Sequence, residues 1–230
     1  MRRWWTLICL LVFPLAAAQT ADAVEALMNQ GRFQEAAEAG SRLGSAEGLI
    51  LAARSAAFYA GYQAPDSQKA DWFGRAETLA RQAIRADGDN PEAFFELARA
   101  QGRLAQYRGI LESLGLAQSI KETLDKTLKL SPKHAGAKGA LALWNYSLVS
   151  KNVGWLYGAN GGVVQPLFLE AIALEPQVII HKVEYAGYLA ATNRKEEARK
   201  QYEAALAIAP KTAMDRFDLE RARRELAALK

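Results

Sequence analysis

The chain has 230 residues, half of them hydrophobic and 23% charged, a composition that belongs to a folded chain and excludes intrinsic disorder. One cysteine, three methionines and two histidines leave too little material for a zinc cluster, a disulfide framework or a relay of imidazoles. The formal charge of +4 invites a nucleic acid or an anionic membrane as partner, so the placement of that charge matters first.

Arg2 and Arg3 precede an apolar run from Trp4 to Leu15, and Ala16-Ala17-Ala18 follows with the small side chains that signal peptidase requires. A secretory signal over residues 1–18 is expected. The run is shorter than the roughly 20 residues of a membrane-crossing helix, so no stable membrane span is expected after cleavage. Cys9 lies too early in the run for a lipoprotein site and reads as one more apolar residue of the signal. Cutting after Ala18 removes Arg2, Arg3 and Cys9, leaving 27 basic against 25 acidic residues, a formal +2. No basic block interleaved with aromatics survives, which argues against nucleic acid. An exported chain without cysteine holds its fold by packing alone, and its expected place is periplasmic or extracellular.

After residue 18 the chain is rich in Ala, Leu, Glu, Lys and Arg, with apolar residues recurring at three and four positions, so it reads as almost entirely helical. Breakers follow helical segments at Gly48, Gly88, Pro132, Pro176 and Pro210, spaced by 40, 44, 44 and 34 residues. Periods of this size predict a helical repeat array. Counting back 12, 8 and 5 residues gives Ala198, Tyr202 and Ala205 before Pro210, and Val164, Phe168 and Ala171 before Pro176. The same offsets give Ile120, Leu124 and Thr127, then Ala76, Ala80 and Ala83. They share one helical face, where small residues admit a neighbouring helix and a bulky one fills the gap. Counting forward from the breakers, Leu97-Ala98, Leu141-Ala142 and Tyr185-Ala186 pair a large residue with a small one at a second expected crossing.

This pattern resembles the tetratricopeptide repeat, a 34-residue pair of antiparallel helices, over about residues 21–212. Its clearest unit runs from Ile179 to about Thr212, with Ala186, Asn193, Ala198, Tyr202, Ala205 and Pro210 at motif positions. Gly31-Arg32-Phe33-Gln34-Glu35-Ala36 looks like the turn and second-helix start of another unit, and Asp87-Gly88-Asp89-Asn90-Pro91 like an inter-repeat turn. The resemblance implies an all-α solenoid of about four to five antiparallel helix pairs in a right-handed superhelix. The expected division is a repeat domain over 19–212 and a capping helix over 213–230.

The two 44-residue units carry ten extra residues each, around Tyr107 to Ala117 and around Lys151 to Gly162. The stretch from Gly109-Ile110-Leu111 through Lys129-Leu130-Ser131-Pro132-Lys133-His134-Ala135-Gly136-Ala137 to Leu143-Trp144-Asn145-Tyr146, then Gly161-Gly162, resembles the regulator of microtubule dynamics family and its bacterial relatives. Ala171-Ile172, Glu175-Pro176 and Ile180-His181 continue the resemblance. Around the family's tryptophan and tyrosine an arginine, a histidine and a glutamate are usual, whereas Leu143, Asn145 and Ser147 stand here. The microtubule association of animal relatives does not transfer to an exported chain, because tubulin is cytosolic.

Past Pro210, Thr212-Ala213-Met214-Asp215 has the form of a capping box, and Phe217, Ala222, Leu226 and Leu229 form an apolar stripe. A terminal helix that covers the last repeat is expected, its charged side solvated. Catalytic signatures are missing where chemistry would need them. Gly158-Ala159-Asn160-Gly161-Gly162 lacks the following Lys-Ser or Lys-Thr of a phosphate loop, and His134 and His181 have no companion at metal-ligand spacing. No nucleophile stands out, so no enzyme, catalytic residue, cofactor or metal is expected.

A binding surface remains. The resemblance places positions 2, 5, 9, 12 and 13 of each unit on the concave side. In the unit beginning at Pro91 these are Glu92, Phe95, Arg99, Gly102 and Arg103, a set suited to an acidic, partly apolar peptide or a carboxylate. In the unit beginning at Ala135 they are Gly136, Gly139, Leu143, Tyr146 and Ser147. Trp144, beside that face, and Trp155 and Tyr157 in the inserted loop complete the candidate set. Packing of the loop aromatics is favoured over an exposed patch. The expected function is a non-enzymatic exported scaffold that takes a protein or peptide partner in its groove, with homo-oligomerisation left open. The alternative is an extracytoplasmic small-molecule binder, similar in architecture to the tetratricopeptide component of some tripartite solute transporters; an enclosed pocket near Trp144 and Trp155 would favour it.

Overall fold

A computed structural model describes residues 20–108 and 110–229; the expected signal at residues 1–18 lies outside them. The described residues are helical, without a strand. Five antiparallel pairs follow in order: α1 (Ala21–Asn29) with α2 (Phe33–Leu43), α3 (Ala46–Phe58) with α4 (Asp66–Ala86), and α5 (Pro91–Arg108) with α6 (Ile110–Leu130). Next come α7 (Ala135–Val149), the short α8 (Gly154–Tyr157) and α9 (Val164–Leu174), with α7 pairing α9, then α10 (Ile179–Ala191) with α11 (Lys195–Leu206). α12 (Ala213–Ala228) ends the described helices. This is the TPR-like α-solenoid that the resemblance implies.

Local chemistry sets the helix starts. The Thr20 and Ser45 side chains accept from the amides of Ala23 and Gly48 at 3.2 and 3.1 Å, and His134 Nδ1 accepts from Ala137 at 3.1 Å. At α12, Thr212 and Asp215 form the expected capping box. Gly88, Pro132, Pro176 and Pro210 all lie between helices. Gly48 does not: it sits inside the first turn of α3, where a Cβ would come 2.8 Å from the Gly40 carbonyl oxygen. It permits a close crossing of α2 and α3 and ends nothing.

The repeat core follows the spacing. All twelve residues at the three offsets before Gly88, Pro132, Pro176 and Pro210 are buried. Around them, alanines let helices approach while Leu124, Phe168 and Tyr202 fill the space between pairs. The two insertions take different forms. The first lengthens α5 and α6, and Tyr107 donates from its hydroxyl to the Asp66 carbonyl at 2.7 Å. The second forms α8 and a 3₁₀ turn at Gly161–Val163, tied to α7 where Asn145 Oδ1 accepts from the Asn160 amide at 2.7 Å.

α12 covers the last repeat, as expected, and also returns to the first. Phe217 stacks on Tyr62 with ring centres 4.9 Å apart and lies 6.1 Å from Phe33, while Tyr62 donates to Asp218 at 2.9 Å. Ala213 meets the turn at Gly31, whose φ of +82° suits glycine and where a Cβ would come within 3.2 Å of the Ala213 Cβ. Tyr62 reaches α12 because the end of α3 widens into a π-helical turn over Tyr59–Gln63, a deviation common at functional positions. The solenoid thereby closes into a ring. The charged side of its last helix is solvated in part: Arg216, Glu220, Arg223 and Arg224 are exposed, whereas Asp218 is buried and Arg221 pairs with Glu184 on α10 at 2.8 Å.

Candidate functional site

The ring surrounds a pocket of about 530 Å³. Its wall comes from α3, α5, α7, α10 and α12, with contributions from α6 and α9. Most of the lining is apolar, including Phe58, Phe95, Leu143, Trp144, Phe168 and Ile180. The tryptophan is fixed from behind, its indole N–H donating to the Ala117 carbonyl at 2.9 Å.

Two charged clusters are set into this wall. In the first, Arg54 from α3 donates to Glu96 at 2.6 Å and to Glu92 at 2.8 Å, both on α5. The Glu96 side chain is fully buried, and Arg54 compensates for that burial. Glu96 and Glu92 in turn raise the Arg54 pKa above its ordinary value. His134 Nε2 lies 2.9 Å from Glu92 Oε1, and this contact lowers the Glu92 pKa. Arg99 is second in line: its Nη1 lies 3.3 Å from Glu96 Oε2, misaligned, so both buried atoms lack a hydrogen bond. Its guanidinium lies 4.6 Å from the Phe95 ring centre and 5.1 Å from that of Phe58. Burial pushes the Arg99 pKa below its usual value; the 23% of its side chain left exposed borders the pocket.

The second cluster repeats the arrangement. Glu184 on α10 is held by Arg221 of α12 at 2.8 and 3.4 Å, and Arg221 also binds Glu225 at 2.7 Å. Burial opposes ionisation of Glu184, but Arg221 and Arg103 outweigh it and hold its pKa below the usual range. Arg103, one turn along α5 from Arg99, is again second in line at 3.6 Å from Glu184. Asp218 faces this cluster from α12, and burial pushes its pKa up to about 6.

The candidate residues separate into two groups. Glu92, Phe95, Arg99, Arg103 and Trp144 come together in the pocket wall. Tyr146 faces away from it and packs edge-on against Tyr188, with ring centres 5.2 Å apart. Tyr157 packs half-buried beside the α6–α7 core. Trp155 is 80% exposed on the outside of the ring and Leu156 is 53% exposed, so the loop's tryptophan does not pack inward as expected. In the neighbouring unit Gly136, Gly139, Leu143 and Ser147 do line the pocket.

Sequence reasoning missed Arg54, Tyr62, Glu184, Asp218 and Arg221. The signal for Arg54 was present. Counted from Ala46, the concave positions 9, 12 and 13 of α3 are Arg54, Ala57 and Phe58, all of which line the pocket. Treating Gly48 as a helix breaker hid that register. Nothing in the local sequence of α12 announces its contact with Tyr62.

Among known proteins, the family model of regulator of microtubule dynamics protein 1-3 matches residues 18–156, more than half of the chain. A search of curated proteins finds no match. Among solved structures, the chain is similar to TTC0263, a thermophilic TPR protein of Thermus thermophilus, with 18% identity and a TM-score of 0.66. That similarity covers 89% of this chain and 97% of the other, and at such identity it speaks for the fold alone. No described helix is long and apolar enough to cross a membrane.

Proposed function

The chain belongs to the regulator of microtubule dynamics protein family, and from that premise we propose that it is an exported, non-enzymatic binding protein that encloses a compact ligand at the centre of its solenoid. The return of α12 to Tyr62 and Phe33 carries this reading. A ring around a partly open pocket of about 530 Å³ has the size and the mainly apolar lining of a small-ligand site, and it suits a compact molecule better than a long peptide laid along a groove. Arg2-Arg3, the apolar run and Ala16-Ala17-Ala18 support export. Native mass spectrometry of the protein taken from its own envelope tests the reading. A small bound molecule released on denaturation, on a chain whose N-terminus reads from Gln19, is expected. A ligand-free chain that still carries Met1 overturns it.

A second reading rests on a different observation. The TPR-like fold suggests a protein-interaction scaffold, and Trp155 and Leu156 offer an exposed apolar contact outside the ring. Under this reading a protein partner, a second copy of the chain included, docks on the loop after α7. A photo-crosslinking side chain placed at Trp155 in the native envelope would then give one discrete adduct; a smear of unrelated products counts against it.

A further inference from the structure

We propose that the pocket is built for an organic anion with an apolar body, a medium-length amphipathic carboxylate, whose head group lies between Arg99 and Arg103. The inference rests on the enclosed-pocket reading above and names its ligand class. Its basis is an account of donors and acceptors around the cavity. Among the described residues, every carboxylate that lines the pocket has a donor of its own: Glu92 has Arg54, Glu175 has His181, and Glu184 has Arg221. Asp215 has the amides of Lys211 and Thr212, and Asp218 has the Tyr62 hydroxyl. The arginines are not so provided. Arg99 and Arg103 each share a glutamate that another arginine binds at shorter range, at 3.3 Å against 2.6 Å for Glu96 and at 3.6 Å against 2.8 Å for Glu184. The Arg103 guanidinium also meets Gln106, at 3.3 Å.

Four residues apart on α5, the two guanidiniums stand on one helix face and carry five N–H donors each. A carboxylate between them meets a charge-assisted partner on both sides, in surroundings that strengthen such bonds. Phe58 and Phe95 hold the Arg99 guanidinium in place, so little ordering remains to be done when an anion arrives. Beyond the head-group position the wall is mainly apolar, with Leu143, Trp144, Phe168 and Ile180, and it also carries Lys151 and the Glu175–His181 pair. A cation finds no such place, because Glu96 Oε2, a carboxylate oxygen left without a hydrogen bond, is buried behind Arg99. Asp218, facing Arg103 from α12, opposes the anion and sets how tightly it is held.

Calorimetric titration of the purified full-length chain with decanoate, decan-1-ol and decyltrimethylammonium tests the assignment. Decanoate is expected to bind at least about 10-fold more tightly than either analogue, the gain of a charge-assisted bond pair over a neutral one. Arg103→Gln and Arg99→Met are each expected to remove that preference, read as the ratio of decanoate to decan-1-ol dissociation constants in the same variant, and Asp218→Asn to tighten decanoate several-fold. Circular dichroism confirms that each variant is folded, and Arg103, the more exposed of the two arginines, provides the variant least coupled to folding. Equal binding of decanoate and decan-1-ol overturns the head-group assignment and leaves the enclosed pocket standing. Preference for the cation overturns it too. Binding of none of the three, with no molecule found by mass spectrometry, removes both.

Discussion

The ring has two kinds of seam, and they are held by different chemistry. Between α9, α10, α11 and α12 the contact is a repeat seam: Ala171, Ala186, Ala198 and Ala205 bring backbones close, and Phe168, Tyr185, Leu189 and Tyr202 fill what remains. Where α12 meets the first hairpins the contact is aromatic and polar, with Phe33, Phe58, Tyr62 and Phe217 around one another and Asp218 buried beside them. The apolar contacts of the small-residue seam gain stability from close packing and do not titrate, and its Glu184–Arg221 pair weakens only at acid pH, because the Glu184 pKa lies below its ordinary value. A seam containing a buried carboxyl has one contribution that protonation turns on and off. Repeats thus keep the array intact while closure remains adjustable, and the closing seam borders the pocket through Tyr62 and Asp218.

The largest expected effect is on the repeat seam. Tyr202 is 1% exposed, fills the space between α10, α11 and α12, and donates its hydroxyl to Glu225 at 2.6 Å. Tyr202→Ala leaves a cavity and an acceptor without its donor. A loss of about 3–5 kcal/mol in urea unfolding is expected, with the whole chain melting earlier. A loss below about 1 kcal/mol would show that the alanine contacts alone carry the seam and would remove the contrast.

The next effect isolates the closing seam. Asp218 has a pKa raised to about 6 from an ordinary 3.8, so folding favours its protonated form. The stabilisation is complete below the ordinary value and is lost as pH rises through about 6. Glu92 and Glu184 act in the opposite sense, with pKa values below the ordinary 4.5, so their contributions are lost only at more acid pH. Between about pH 5 and 7 the decline therefore belongs to Asp218, and it is the upper half of a loss of roughly 2–3 kcal/mol that begins near pH 4. The protection of the α12 amides, taken as the exchange rate relative to the intrinsic rate at each pH, should fall over that interval in the native chain and stay level in Asp218→Asn, which is the more stable of the two at neutral pH. Identical profiles would show the two seams to be equally indifferent to protons.

This division also explains how far the sequence could be read. Repeat seams are written locally: the residues 12, 8 and 5 before each breaker are neighbours on one helix, and a period of 34 to 44 residues makes them visible. Glu92, Phe95, Arg99 and Arg103 were legible through the concave positions that the tetratricopeptide resemblance assigns to α5, and the structure places them in the pocket wall. Closure is not local. Tyr62 and Asp218 are 156 residues apart in sequence, and their contact depends on the accumulated rotation of five helix pairs, which no single repeat encodes. Asn145 lies between the two cases. It stands where the family resemblance leads one to expect histidine, and its use is plain only from the bond that the Asn160 amide donates to it.

The smallest expected effect lies outside both seams and is informative for that reason. Trp155 sits in the four-residue α8, 80% exposed, and the loop around it is held from within by Gly154, which is buried, and by the bond from Asn160 to Asn145. Removing an indole that covers nothing costs the fold almost nothing, so Trp155→Ser should change stability by less than about 0.5 kcal/mol. Decanoate binding should be unchanged as well, because the indole does not line the pocket. If the variant nevertheless loses a protein cross-link made by the native chain, the tryptophan serves an external contact, separate from the ring and from what the ring encloses. If instead stability falls by as much as in a core substitution, α8 belongs to the repeat seam and the outer contact has no separate surface.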